Sequence, residues 1–187
     1  MRVIAGKYRS RTLRSLKGQE LRPTSDRLRE TLFNILGPRM EGATFVDLYA
    51  GTGAVGIEAL SRGARLAIFA EQHAPAAALI RRNLASLEIG AQAEVLDMNV
   101  LRAIKRLEGR NVHAKYIFLD PPYAADIDYV KTLGALGDSP LVAPDGLVIV
   151  EHSGKRKLPP RIENLELARV VEQGDAALSF YRLALAA

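Results

Sequence analysis

From position 44 onward, short apolar runs alternate with stretches whose apolar residues recur at helical intervals, a pattern that predicts βα units around a mostly parallel sheet. The runs at 44–49, 66–71, 93–97, 116–120 and 146–151 read as strands. Between them 54–62, 74–87, 100–107 and 126–136 read as helices, with Leu79, Leu84 and Leu87 spaced along one face of the second. Two later runs, 165–171 and 178–183, flank Gln173-Gly174-Asp175 and predict a closing antiparallel hairpin. The expected fold class is a doubly wound α/β sandwich with a mostly parallel sheet finished by that hairpin.

Ahead of the sheet the texture changes. A basic segment containing Gly6 and Gly18 leads through Pro23-Thr24-Ser25-Asp26 into an amphipathic stretch with Leu28, Leu32, Ile35 and Leu36 on one face. Thr24 or Ser25 suits the N-cap, and Gly37-Pro38 ends the helix. The expected organisation is a small extension over 1–40, a short hairpin plus an amphipathic helix, followed by one α/β domain over 41–187. A chain of 187 residues has room for little more. Pro159-Pro160 reads as a connector.

Composition narrows the function classes. With no cysteine there is no disulfide framework and no thiolate metal site. His73, His113 and His152 lack ligand spacing, so no metal is expected. Neither a signal-like N-terminus nor a bilayer-length apolar run is present, and the expectation is a soluble cytoplasmic protein without membrane partners. The net charge of +5 is unevenly spread. Residues 1–40 carry ten Lys or Arg against three acids, a net of +7, and the remainder is slightly acidic at −2. The N-terminal charge, Lys7, Arg9 and Arg11 foremost, reads as a phosphate-gripping surface; the plainer alternative is that Arg27 and Arg29 pair with Asp26 and Glu30 along the helix.

Two motifs carry candidate chemistry. Asp47-Leu48-Tyr49-Ala50-Gly51-Thr52-Gly53-Ala54-Val55-Gly56 places G-x-G-x-x-G after a strand and before a helix, which by itself suits a nicotinamide dinucleotide or a turn bent for packing. Asp47, four residues before the first glycine, is awkward beside a diphosphate and useful beside the cationic methionine end of S-adenosyl-L-methionine. Glu71 ends the next strand, twenty residues after Gly51, where an acid accepts hydrogen bonds from ribose hydroxyls. Asp97 or Asn99 at the third strand's tip is placed for an adenine amino group; Asn99 is favoured, with a helix N-cap as the alternative.

The second motif is Asp120-Pro121-Pro122-Tyr123. The amine of a nucleobase is a poor nucleophile because its lone pair is delocalised into the ring. A carboxylate accepting one N–H and a backbone carbonyl accepting the other draw it toward tetrahedral geometry, so Asp120 and the Pro121 carbonyl form a natural pair. The two prolines stiffen the turn and bias Asp120 to extended geometry. Tyr123 offers a flat face for a base to stack on.

With these motifs the chain resembles the bacterial methyltransferases of the RsmD type, which methylate the N2 amine of guanine 966 in 16S ribosomal RNA. The likeness covers Arg2-Val3-Ile4-Ala5-Gly6, the stretch 21–34 that begins Leu21-Arg22-Pro23-Thr24, and 47–62 and 118–123. The stretch 22–34 is the most specific to that family; Asp120 to Tyr123 is shared with many amino-methyltransferases. The resemblance implies a seven-stranded class I S-adenosylmethionine-dependent methyltransferase fold after a small extension. It implies that Asp47, Ala50, Gly51, Thr52 and Gly53 surround the methionine end, that Glu71 takes the ribose, and that Asn99 lies near the adenine. Asp120, Pro121, Pro122 and Tyr123 then hold the guanine, and Thr24 and Arg27 border the cofactor or substrate mouth. Arg22 and Arg27 join Lys7, Arg9 and Arg11 as RNA contacts, and the implied partner is 16S rRNA within a small ribosomal subunit or its assembly intermediate. Methylation of another amine, in DNA adenine or protein glutamine, and a non-catalytic RNA-binding role remain the alternatives.

Overall fold

All five residues of strand β1, Thr44–Leu48, are buried, which is why that stretch reads as a mainly apolar run, broken by Asp47, and not an alternating one. The structure, a computed structural model, describes residues 1–15, 26–122 and 126–184. Contacts divide the chain into two units, Met1–Asn99 and Val100–Ala187.

In the first unit β1 pairs in parallel with β2 (Leu66–Ala70), and β2 with β3 (Ala93–Leu96), in the order β3-β2-β1. Helix α2 (Ala54–Ser61) follows β1, and α3 (Ala74–Ser86) follows β2. A Cβ on Gly56 would stand 2.3 Å from the Phe69 ring, so the last glycine of the motif lets α2 lie against β2. Every residue of α2 is buried.

Part of that cover is the N-terminal segment, which forms a short hairpin. Val3 donates its N–H to the Arg11 carbonyl and Leu13 to the Met1 carbonyl, each at 3.0 Å, around a single bridge from Arg2 to Thr12. Two residues of α2 fasten the hairpin. The Glu58 carboxylate accepts the Ile4 and Ala5 N–H groups at 2.8 and 3.0 Å, and the Ser61 carbonyl accepts Lys7 N–H at 2.7 Å. Gly6 is required here, because at φ +78° a Cβ would fall 1.8 Å from the Ser61 oxygen. Helix α1 (Asp26–Leu36) buries Leu28, Leu32, Phe33 and Leu36, and a 3-10 turn over Gly37–Met40 ends it. The expected caps, Thr24 and Ser25, lie outside the described residues.

The second unit holds α4 (Val100–Glu108), β4 (Ala114–Leu119), α5 (Asp126–Gly137), β5 (Val142–Ser153), β6 (Arg161–Ile162), β7 (Leu165–Gln173) and β8 (Ala176–Leu183). Its strand order is β4-β5-β8-β7-β6, with β4 and β5 parallel and the rest antiparallel. The closing hairpin turns on Gly174-Asp175, with Gly174 at φ +59°. Strand β5 starts four residues before the apolar run that announced it. Its register against β4 breaks between Ala114 and Tyr116, where Gly146 approaches so closely that a Cβ would lie 2.8 Å from the Ala143 oxygen. Eight strands stand among the described residues where seven were expected; the addition is the two-residue β6. Among the described residues no helix is long and apolar enough to cross a membrane.

Candidate functional site

The chain leaves β1 through a loop of left-handed turns: Tyr49 has φ +62°, Gly51 +54° and Gly53 +78°. For a tyrosine that conformation costs about 1–2 kcal/mol, so the surroundings must hold it. Ala50 N–H donates to the Ala70 carbonyl at 3.0 Å and Gly53 N–H to the Ala50 carbonyl at 2.7 Å. Asp47 lies inside the unit, 2% exposed, and its Oδ2 accepts the Gly56 N–H at 2.9 Å. The N-cap of α2 is Gly53, which has no side chain to offer, and the strand carboxylate therefore satisfies an amide of the first helical turn. Gly53 is itself packed, with Ile80 at 3.1 Å from an added Cβ. At Gly51 such a Cβ would meet nothing nearer than the Tyr49 carbonyl at 4.0 Å.

Glu71 follows directly on β2 and is half-buried. Its Oε2 accepts the Gly51 N–H and its Oε1 the His73 N–H, both at 2.8 Å, which leaves each oxygen a second lone pair. Ala50 is buried and Thr52 half-buried in the same loop. Asn99 is exposed immediately before α4, and exposed Asp97 stands 4.0 Å from Arg81. The loop, Glu71 and the β3 tip thus all fall at the carboxyl ends of the first unit's parallel strands, where α/β folds bind ligands.

In the second unit Asp120 and Pro121 follow β4, with Asp120 half-buried, Pro121 buried and Pro122 exposed. Sequence reasoning missed the neighbour of that turn. Tyr129 on α5, fully buried, directs its hydroxyl at the Pro121 carbonyl over 3.4 Å, and the Arg156 guanidinium lies 4.6 Å from the Tyr129 ring centre. Tyr129 reads in the sequence as one more core position of an amphipathic helix, and nothing in its spacing signals the hydroxyl's target. Tyr123 lies outside the described residues.

Of the candidate RNA contacts, Lys7, Arg9, Arg11 and Arg27 are exposed, while Arg22 and Thr24 lie outside the described residues. Arg11 also donates to the Ser86 carbonyl at 2.8 Å. Arg29, one of the other N-terminal cations, differs from these. It is wholly buried, bonded to Asp26 at 3.0 Å and to the Arg2 carbonyl at 2.6 Å, with Glu58 3.9 Å away. Burial lowers its pKa below the usual arginine value, and Glu58 and Asp26 push it back up. Of the pairing weighed as the plainer alternative, Arg29 with Asp26 is formed along α1, and Glu58, which also bonds Arg62 at 2.8 Å, joins it from α2.

Comparison with known proteins places this arrangement in a family. The family model described as Conserved hypothetical protein 95 matches residues 1–182. The Ribosomal RNA small subunit methyltransferase D of Escherichia coli K12 is 35% identical over 182 residues, covering 97% of this chain and 89% of that protein. The Bacillus subtilis protein named "Putative rRNA methyltransferase YlbH" is also 35% identical, over 97% of this chain and 98% of its own. Among solved structures, the "Putative methyltransferase yhhF from Escherichia coli" superimposes with a TM-score of 0.85 at 33% identity, covering 100% of this chain and 99% of that one. The fold is the class I, Rossmann-like fold of S-adenosylmethionine-dependent methyltransferases. From its first residues to its closing hairpin, the chain belongs to the Conserved hypothetical protein 95 family, that of the ribosomal RNA small subunit methyltransferases D.

Proposed function

We propose that the protein is an rRNA methyltransferase that uses S-adenosyl-L-methionine to methylate the exocyclic N2 amine of a guanine in 16S rRNA during small-subunit assembly. The observation that carries this reading is the turn after β4, where a half-buried carboxylate, Asp120, precedes a carbonyl, that of Pro121, which carries no competing N–H of its own and is approached by the Tyr129 hydroxyl at 3.4 Å. That turn supplies two acceptors for the two hydrogens of an amine. The first unit supplies a place for the cofactor that suits its chemistry: a glycine with open space at Gly51 and a carboxylate at Glu71 with acceptor capacity to spare.

Glu71 accepts ribose hydroxyls, Ala50, Gly51, Thr52 and Gly53 present the backbone to the methionine end, and Asn99 serves the adenine. Asp47 acts by shaping that loop through Gly56. Bound there, S-adenosylmethionine supplies an electrophilic methyl group. Asp120 and the Pro121 carbonyl hold the two N–H groups so that the nitrogen lone pair leaves conjugation, which is electrostatic and geometric preorganisation. Tyr123 stacks on the base. Once nitrogen has gained its methyl it is acidic, and Asp120 takes the proton or passes it to water. Lys7, Arg9, Arg11, Arg22 and Arg27 hold phosphates of the RNA.

The test is to incubate the protein with radiolabelled S-adenosylmethionine and, separately, deproteinised 16S rRNA, undermethylated small subunits and duplex DNA, then map the label. Label on a guanine N2 of 16S rRNA is expected. Label on DNA adenine or on a protein side chain overturns the substrate assignment, and no transfer to any acceptor overturns catalysis in favour of RNA binding alone.

A further inference from the structure

Asn83 stands on α3 with no solvent exposure, and both its amide nitrogen and its amide oxygen are hydrogen-bonded. Nδ2 donates to the Thr52 carbonyl at 3.1 Å and to the Arg14 carbonyl at 3.2 Å, while Oδ1 accepts the Arg14 N–H at 2.9 Å. Two N–H groups facing two carbonyls and an oxygen facing an N–H fix one orientation of the side chain. Thr52 lies between the two left-handed glycines of the loop after β1, and Arg14 ends the hairpin that carries Lys7, Arg9 and Arg11. Ile80, one turn earlier on α3, packs against Gly53 of the same loop. A further link runs from the Thr52 hydroxyl to the Met1 sulfur at 3.7 Å.

We propose that Asn83 is a positioning residue that transmits occupancy of the cofactor loop to residues 11–15 at the end of the basic N-terminal hairpin, slowing their local opening when the cofactor is bound. The inference rests on the cofactor reading of the loop. A ligand on the backbone of residues 50–53 fixes the Thr52 carbonyl, and because one amide group holds both Thr52 and Arg14, fixing one partner restricts the other. The effect is mutual, since a free-energy coupling between two sites acts equally in both directions. A leucine at 83 fills similar space and leaves three backbone groups without their partner. An aspartate keeps the acceptor for Arg14 N–H and turns an oxygen toward two carbonyls.

Hydrogen exchange read by mass spectrometry, with and without saturating S-adenosylhomocysteine, tests this on the parent chain, Asn83→Leu and Asn83→Asp. In the parent, exchange should slow about fivefold or more in peptides covering 11–15 as well as in those covering 49–56, a coupling of the usual allosteric size. In both variants the protection at 49–56 should persist while the ligand-dependent change at 11–15 disappears. A simple loss of stability would speed exchange everywhere without erasing that difference selectively. Protection at 49–56 without any at 11–15 in the parent overturns the coupling, as does equal protection at 11–15 in parent and variants. Should the variants fail to fold, the parent measurement still decides. A parent unprotected even at 49–56 overturns the cofactor reading itself, and the coupling with it.

Discussion

The Glu71 carboxylate accepts the Gly51 N–H at 2.8 Å, so the acid at the tip of β2 and the first glycine of the loop after β1 share one hydrogen bond. Two consequences follow from one side chain. Glu71 shapes the loop, and in the proposed function its remaining lone pairs serve the ribose. Replacing it by alanine should weaken S-adenosylhomocysteine binding by about 1.5–3 kcal/mol, the scale for hydrogen bonds to a charged group. Calorimetry measures this directly. Parent-like affinity in Glu71→Ala would remove Glu71 from the cofactor site, and tight NAD binding by a parent that ignores S-adenosylhomocysteine would overturn the reading of the whole loop.

Asp120 is assigned to the amine and not to the cofactor. Asp120→Ala should therefore slow methyl transfer by roughly 10²- to 10⁴-fold and leave S-adenosylhomocysteine affinity near that of the parent. Single-turnover kinetics on the labelled substrate separates the two effects, and near-normal turnover would sink the assignment. For Tyr123, the alanine variant should lose about 1–3 kcal/mol of stacking and the phenylalanine variant little.

Much of this fold was legible because parallel strands buried on both faces leave mainly apolar runs, as β1 and β2 do. The early start of β5 was not, since Pro144 and Gly146 interrupt its apolar run where the register against β4 shifts. In the candidate site, Gly51, Glu71 and Asp120 announced themselves by residue type at strand tips. Glu58, Asn83 and Tyr129 did not. Their partners are backbone groups that the fold brings to them, 54 residues away for Glu58 with Ile4 and 69 for Asn83 with Arg14, and a bond to the main chain leaves no pattern among side chains. Arg29 shows the converse: counted with the N-terminal cations by sequence, it is buried against Glu58 and Asp26 and adds nothing to the exposed charge.

Stability should depend on pH through His152. Burial holds its imidazole below the ordinary histidine range, with Arg156 adding to the effect, and the Ser153 carbonyl and Glu172 oppose it. The Ser153 carbonyl can only accept, so Nδ1 carries the hydrogen at 2.8 Å and Nε2 accepts from the Ser179 hydroxyl at 2.8 Å in the neutral ring. As pH falls below about 6.5, the unfolded chain takes up a proton before the folded one does. The stability that neutral His152 contributes is complete above that pH and is lost below it. The Tm of the parent should accordingly fall more between pH 7 and pH 5, roughly the range bracketing that midpoint, than the Tm of His152→Gln. Parallel Tm profiles for the two would assign the pH dependence to other groups.

The exposed charge of the N-terminal hairpin makes the last prediction. Lys7, Arg9 and Arg11 are all exposed on a segment whose backbone is fixed to α2 through Glu58 and Ser61, and Arg11 also donates to the Ser86 carbonyl, so their positions are set by the fold. A rigid cationic hairpin suits phosphates at fixed spacing better than a free tail does, because less order has to be imposed on binding. If the proposed function holds, replacing all three with alanine should weaken binding to 16S rRNA and flatten the dependence of log affinity on log salt by roughly 0.7 to 0.9 per lost phosphate contact. The backbone bonds to Glu58 and Ser61 do not involve these side chains, so the hairpin should stay in place, and Tm should fall only by the loss of the exposed Arg11–Ser86 bond. If the variant and the parent give the same salt slope on the same RNA, the charge of this hairpin is not used for phosphate contact, and the RNA-facing surface lies elsewhere on the protein.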